Sequence, residues 1–181
     1  ASTNNQIDQI KFADGKTYLY SQILVGTNNA EALTGSASNN LIFGNNGNDS
    51  ISGGAGDDVL HGNGGDDVLD GGEGNDSVSY ISSEASIAVS LNTSLAQDVG
   101  GGAGVDTLLG IENIAGSKFD DTLTGSGGDN ILYGGEGNDL INGLSGNDTL
   151  NGGAGIDTVT YSLATSSISV DLQKTYAQAI G

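Results

Sequence analysis

The chain has 181 residues, of which 23 are acidic and four basic, for a formal net charge of −19. A surface so negative makes nucleic acid a poor partner, and the lack of cysteine excludes disulfides and thiol redox chemistry. Glycine supplies 32 residues and aromatics only 5%, which argues against a thick conventional core and for a narrow repetitive one.

Residues 1–25 carry no repeat. Two apolar-polar runs, 9–13 and 16–20, flank Asp14-Gly15, a two-residue hairpin signal. Ile10 and Phe12 alternate with Gln9 and Lys11, as a half-buried strand requires. The stretch predicts a hairpin that caps the first coil of the repeat region, with Tyr18 and Tyr20 as ordinary edge-strand aromatics.

From Gly26 a nine-residue phrase takes over. GTNNAEALT and GSASNNLIF are degenerate copies, and GNNGNDSIS, GGAGDDVLH, GNGGDDVLD and GGEGNDSVS continue from Gly44 without a gap. Residues 26–79 form this first block. Residues 80–115 are an intervening segment. Ile87, Val89 and Leu91 alternate with Ala88 and Ser90, which is strand periodicity. GGAGVDTLL from Gly101 returns to the phrase, and the six-residue GIENIA then shortens the stack, with Ile111 and Ile114 continuing the interior. A second block, 116–160, reads GSKFDDTLT, GSGGDNILY, GGEGNDLIN, GLSGNDTLN and GGAGIDTVT. Residues 161–181 open a further intervening segment. They match the stretch after Ser79 at a constant offset of 81, Tyr80 against Tyr161 and Ile87 against Ile168. The chain is therefore expected to be part of a longer protein.

The phrase is G-G-x-G-x-D-x-U-x, where U is a large aliphatic residue. Glycine at positions one, two and four permits positive φ, so the chain turns sharply and brings carbonyls inward. Aspartate at position six adds a hard anionic oxygen, and calcium takes six to eight such oxygens from carboxylates and backbone carbonyls. Position eight of each short strand faces inward: Ile51, Leu60, Leu69, Val78, Leu123, Leu132, Ile141, Leu150 and Val159. Asp and Asn also favour turns for their own sake, but a turn alone does not require Asp at one fixed place while position five drifts among Asn, Asp, Phe and Ile. Without counter-ions, aligned aspartates would repel one another, a second and independent argument for a divalent cation.

These nonapeptides resemble the RTX (repeat-in-toxin, hemolysin-type) calcium-binding repeats of large secreted bacterial proteins. The resemblance implies an all-β, right-handed parallel β-roll, to which the hairpin signal and the strand periodicity described above add an N-terminal hairpin cap and a central non-repeat β insert. Two phrases make one coil, so turns stack with a partner eighteen residues along. It implies a metal set of Asp49 with Asp67, Asp58 with Asp76, and Asp121, Asp139 and Asp157 in one column with Asp148 in the other. Glu31, Asn40 and Asn130 occupy position six with weaker or longer-armed oxygens, and Asp106 has no partner obvious from spacing. Carbonyl donors are expected at positions one and three: Gly44, Asn46, Gly53, Ala55, Gly62, Gly64, Gly134 and Glu136. The partners implied are several calcium ions, the rest of a longer chain and the type I secretion machinery, with an extracellular or cell-surface location. No stretch approaches the length of a membrane span.

Catalytic signatures are missing. His61 is the single histidine, so no HExxH helix can form; at variable position nine it reads as a surface or strand-edge residue. Carboxylate pairs such as Asp57-Asp58, Asp66-Asp67 and Asp120-Asp121 follow the turn template rather than a catalytic one. The reading is thus a non-catalytic module folded by calcium. The alternative is an adhesive or ligand-binding segment of a giant surface protein, or an accessory part of a secreted protease, lipase or epimerase whose catalytic domain lies elsewhere.

Overall fold

The structure is a computed structural model that describes residues 9–11, 17–19 and 22–161. At the N-terminus β1 (Gln9–Lys11) and β2 (Thr17–Leu19) pair antiparallel, with Ile10 opposite Tyr18. Residues 12–16 (which include Asp14-Gly15), Tyr20 and residues 162–181 lie outside the described residues.

The first block is a solenoid with two faces. One face is built by β3 (Ile23–Val25), β5 (Leu41–Asn46), β7 (Val59–Gly64) and β9 (Ser77–Ser79), and the other by β4 (Ala32–Thr34), β6 (Ser50–Ala55) and β8 (Val68–Glu73). All pair in parallel and in register, Ile42 opposite Leu60 and Ile51 opposite Leu69. Parallel strands need a crossover between them; here each crossover is the half-coil on the opposite face. Alternation along a strand sends position eight inward and its neighbours outward. The result is a file of buried aliphatics, with Ile42, Leu60, Leu69, Val78, Leu123, Leu132 and Ile141 all at 0% exposure.

The segment 80–115 is spliced into the stack. After β9 come β10 (Ala88–Ser90), β11 (Gln97–Asp98), β12 (Val105–Leu109) and β13 (Asn113–Ala115). β13 pairs with β9, so the first face runs on unbroken into the second block. On the other face β12 pairs with β8, Leu108 opposite Leu69. β11 runs antiparallel to β12, and β10 then pairs with the second block. A bridge from Ile87 to Gly100 and the Ala88 N–H to Val99 carbonyl bond (2.9 Å) join β10 to the β11 side. The Gln97 side chain completes the pairing: its amide donates to the Ser90 carbonyl (2.9 Å) and accepts the Ser90 N–H (2.8 Å). Tyr80, Ile87, Val89, Val99, Ile111 and Ile114 are buried and join the file of aliphatics as one core.

The second block continues through β14 (Thr122–Thr124), β15 (Ile131–Glu136), β16 (Leu140–Asn142), β17 (Thr149–Ala154) and β18 (Thr158–Val159). β15 pairs with β13 and β14 with β10. The all-β parallel roll with a central β insert is therefore the architecture of the chain.

Val159, in register with the buried Ile141 as expected of an inward position, is still 37% exposed, because β18 ends its sheet and pairs on one side only. One expectation needs correction. His61, expected at the surface or a strand edge, is only 8% exposed, and its ring stacks on Phe43 at 4.5 Å. In-register pairing places position nine over position nine, Phe43 opposite His61. Burial pushes the imidazole down to about 4, so it is neutral at ordinary pH.

Candidate metal-binding turns

Each turn ends where position six meets the strand. Its side chain reaches one coil back: Asp67 Oδ1 accepts the Asp49 N–H at 2.8 Å, Asp76 Oδ1 the Asp58 N–H at 2.7 Å, and Asp139 Oδ1 the Asp121 N–H at 2.8 Å. The Asn40 N–H donates likewise to Asp58, the Asn130 N–H to Asp148 and the Asp139 N–H to Asp157, always across eighteen residues. One carboxylate oxygen thus holds the stack together.

The other oxygen is left over. Among the described residues, Oδ2 of Asp49, Asp58, Asp67, Asp76, Asp139 and Asp148 is buried without a hydrogen-bond partner. Buried polar atoms are nearly always paired, and an unpaired buried charge is costly. The surroundings of these oxygens explain the glycine at position one. A methyl group on Gly53 would collide with Asp58 Oδ2 and come within 2.6 Å of the Gly71 carbonyl; on Gly44 it would collide with Asp49 Oδ2 and come within 2.9 Å of the Gly62 carbonyl. Gly134 sits in the same way between Asp139 Oδ2 and the Gly152 carbonyl. A carboxylate oxygen and a carbonyl oxygen cannot hydrogen-bond each other, since neither carries a proton. They suit a hard cation, and the cradle between them is one that a Cβ would fill.

The position-three residues Asn46, Ala55, Gly64 and Glu136 end strands β5, β6, β7 and β15. The Gly64 carbonyl already accepts the Gly47 N–H at 2.8 Å, leaving it one lone pair. Among the described residues no group of three or more acidic or imidazole side chains gathers at one point, so a cation held here would need backbone carbonyls beside the carboxylates.

Desolvation dominates the titration of these carboxylates. It pushes Asp58 and Asp67 up to about 6 against the opposing backbone hydrogen bonds, and neighbouring carboxylates add to the rise. Asp76, Asp139 and Asp148 are raised for the same first reason. Asp106 is pushed up to about 7, again mainly by burial.

Asp106 gains a partner that spacing did not reveal. Its Oδ1 accepts the Asp67 N–H at 3.1 Å across 39 residues, because β12 stacks directly on β8. Its Oδ2 accepts the Tyr80 hydroxyl at 2.9 Å, so it differs from the unpartnered oxygens. The other column also crosses the insert: Glu112 Oε2 accepts the Asp76 N–H at 2.8 Å. Sequence reasoning missed Glu112 because GIENIA has no glycine-framed phrase around it. It also passed over Tyr80, although the match of Tyr80 to Tyr161 marked that position.

The remaining position-six residues face protein donors. Glu31 Oε2 accepts the Thr27 N–H at 2.7 Å, and the Thr27 hydroxyl donates to its other oxygen. Asn40 Oδ1 accepts the Ser36 N–H at 2.6 Å, Asn130 Oδ1 the Ser126 N–H at 2.7 Å, and Asp121 Oδ2 the Ser117 N–H at 2.5 Å. Asp157 is half-buried near the end of the described stack.

A stack of buried, unpaired aspartates in glycine-framed turns is also the region that the family comparison matches. The family model for the RTX calcium-binding nonapeptide repeat fits four times, over residues 25–60, 43–78, 109–141 and 125–159. The chain belongs to the RTX calcium-binding repeat family. No curated protein matches it. As an RTX roll it is a calcium-binding β-solenoid, and such a solenoid is a structural domain rather than a catalytic one. The unpaired oxygens, the cradles at position one and the hard-oxygen donor set all fit calcium. Among the described residues no helix is long and apolar enough to cross a membrane.

Proposed function

We propose that this RTX roll is a folding and stability module that orders on binding several calcium ions outside the cell, as part of a longer protein that leaves through type I secretion. The observation that supports this is the set of buried Oδ2 atoms without partners. In calcium-poor surroundings each costs folding free energy, and the glycine turns add an ordering cost on the order of 1–2 kcal/mol per residue. A ligand that binds only the folded chain reverses the balance by mass action, so metal affinity at such a site becomes folding free energy. The position-six carboxylates with an unpartnered Oδ2, those of Asp49, Asp58, Asp67, Asp76, Asp139 and Asp148, would hold the ions together with carbonyls at positions one and three. Coordination by many weak sites suits extracellular calcium better than cytosolic levels.

The adhesive alternative would favour a flat outward row of one residue type. The position-nine row on the first face instead reads Val25, Phe43, His61, Ser79, Ala115, Tyr133 and Asn151, with no such regularity, and His61 and Ser79 in it are buried.

Far-ultraviolet circular dichroism checks the proposal. The metal-stripped chain should be largely disordered, calcium should restore the β spectrum, and magnesium should substitute poorly because it demands tight octahedral geometry. A full β spectrum in chelator, unchanged by calcium, would overturn it.

A further inference from the structure

Building on the calcium-roll reading, we propose that the residue at position two of each phrase decides whether that turn takes calcium. Serine or threonine there closes the turn with protein hydrogen bonds, whereas a residue in the left-handed conformation leaves it open for the ion.

The turns fall into two sets. In the open set position two has positive φ: Asn45 at 74°, Gly54 at 108°, Asn63 at 65°, Gly72 at 100°, Gly135 at 121° and Leu144 at 68°. These six turns are the ones that carry a buried Oδ2 without a partner. Leucine rarely adopts such φ, and asparagine does so less readily than glycine, so the conformation belongs to the turn and not merely to glycine. Gly102 at 85° and Gly153 at 96° share it; there the Tyr80 hydroxyl fills the Asp106 oxygen, and Asp157 is only half-buried.

In the closed set position two is Thr27, Ser36, Ser117 or Ser126, none of them with positive φ. Each donates its backbone N–H to its own position-six side chain, at 2.5 to 2.7 Å. Each hydroxyl also accepts the N–H two residues on, from Asn29, Ser38, Phe119 and Gly128 respectively. The turn is thereby locked into a different shape. The side-chain oxygen that would face the ion is already in a hydrogen bond, so an incoming cation would have to break it.

Both blocks open with two consecutive closed turns, those beginning at Gly26 and Gly35 and those at Gly116 and Gly125. Two turns make one coil, so each block begins with a coil that needs no metal, on which calcium-dependent coils stack.

Asp121 makes the sharpest test, because it is an aspartate in a closed turn. Anomalous scattering from calcium-loaded crystals should place ions beside Oδ2 of Asp49, Asp58, Asp67, Asp76, Asp139 and Asp148, and none beside Asp121 Oδ2. Calorimetry should give Ser117→Gly about one ion more per chain, while Ser117→Ala, which keeps the N–H and disfavours positive φ, keeps the wild-type count. Should Ser117→Gly fail to fold, the reverse change decides: Leu144→Ser should lose the ion at Asp148, and Leu144→Gly should keep it. An ion on Asp121 in the wild type, or unchanged counts in folded Ser117→Gly and Leu144→Ser, would overturn the position-two rule while leaving the calcium roll intact. A wild-type chain that binds no calcium overturns both.

Discussion

The turns of residues 44–79 and the segment 80–115 share one core but settle their polar groups in opposite ways. In the first region the strands are parallel and in register, and the turns leave Asp49, Asp58, Asp67 and Asp76 each with a buried oxygen unmatched. In the second, antiparallel pairing, the Gln97 amide and the Tyr80 hydroxyl supply partners from within the chain. The contrast teaches that aspartate at position six is not by itself a demand for metal. The demand arises when the turn around it withholds every donor.

The largest effect should come from cutting the core that the two regions share. Leu69 is fully buried and stands opposite both Ile51 and Leu108. Leu69→Ala should cost about 2–5 kcal/mol in the calcium-loaded protein, as large-to-small changes in a packed core do. Denaturant unfolding measures it, and a loss below about 1 kcal/mol, under the usual range for such changes, would mean that the stack does not act as one core.

Next comes the contrast within one turn. Asp58 is buried with Oδ2 unpartnered, whereas Asp57 Oδ1 accepts the Asn75 N–H at 3.1 Å at an exposed site. Asp58→Ala should raise the calcium midpoint of folding by about tenfold or more, a change of about 1.4 kcal/mol per decade. Asp57→Ala should cost only about 0.5–1.5 kcal/mol of stability, the ordinary worth of one hydrogen bond. Equal losses of calcium affinity would show that the register is wrong.

Tyr80→Phe tests the other side by giving the segment the condition of the roll. Asp106 Oδ2 would lose the hydroxyl donor that satisfies it, at a cost of about 1–3 kcal/mol for an unsatisfied buried group. Calcium titration of the variant should show part of this loss recovered, if an open oxygen is what a cation needs. No change in stability would mean that the phenol is not what satisfies Asp106.

The smallest effect, and the most diagnostic in sign, is that of pH. In the metal-stripped fold Asp58 and Asp67 sit at about 6 and Asp106 at about 7, above the usual carboxylate value near 4 of an unfolded chain. The folded state therefore binds more protons. Its stability from these groups is full below about pH 4 and is lost as pH rises through about 6 to 7. Acidifying the metal-stripped protein from about pH 7 to 5 should strengthen whatever fold remains. With calcium present the direction reverses, because protons compete with the ion for the same oxygens. Thermal melts with and without calcium read both signs, and the same sign in both would contradict the assignment of these oxygens to the metal.

Much of this was legible in the residues alone. A nine-residue period with glycine at fixed places and one aliphatic at position eight leaves few choices but a stacked roll, since each strand is too short to bury itself. The inward file of Ile51, Leu60, Leu69, Val78, Leu123, Leu132 and Ile141 comes from that period, and so does the eighteen-residue stacking of Asp49 on Asp67. The period could not say where the stacking skips. Asp106 joins Asp67 across 39 residues and Glu112 joins Asp76 across 36 because a hairpin is spliced into one face only, and no local pattern encodes which coil lands on which. Nor could spacing separate Asp121 from Asp139, identical in their place in the phrase. The residues at position two differ, but only the folded turns show what they do there: the Ser117 N–H closes the first, while left-handed backbone at Gly135 leaves the second open. Residue type and period are properties of the chain, but whether a buried oxygen finds a donor depends on backbone direction and on neighbours brought in from distant coils.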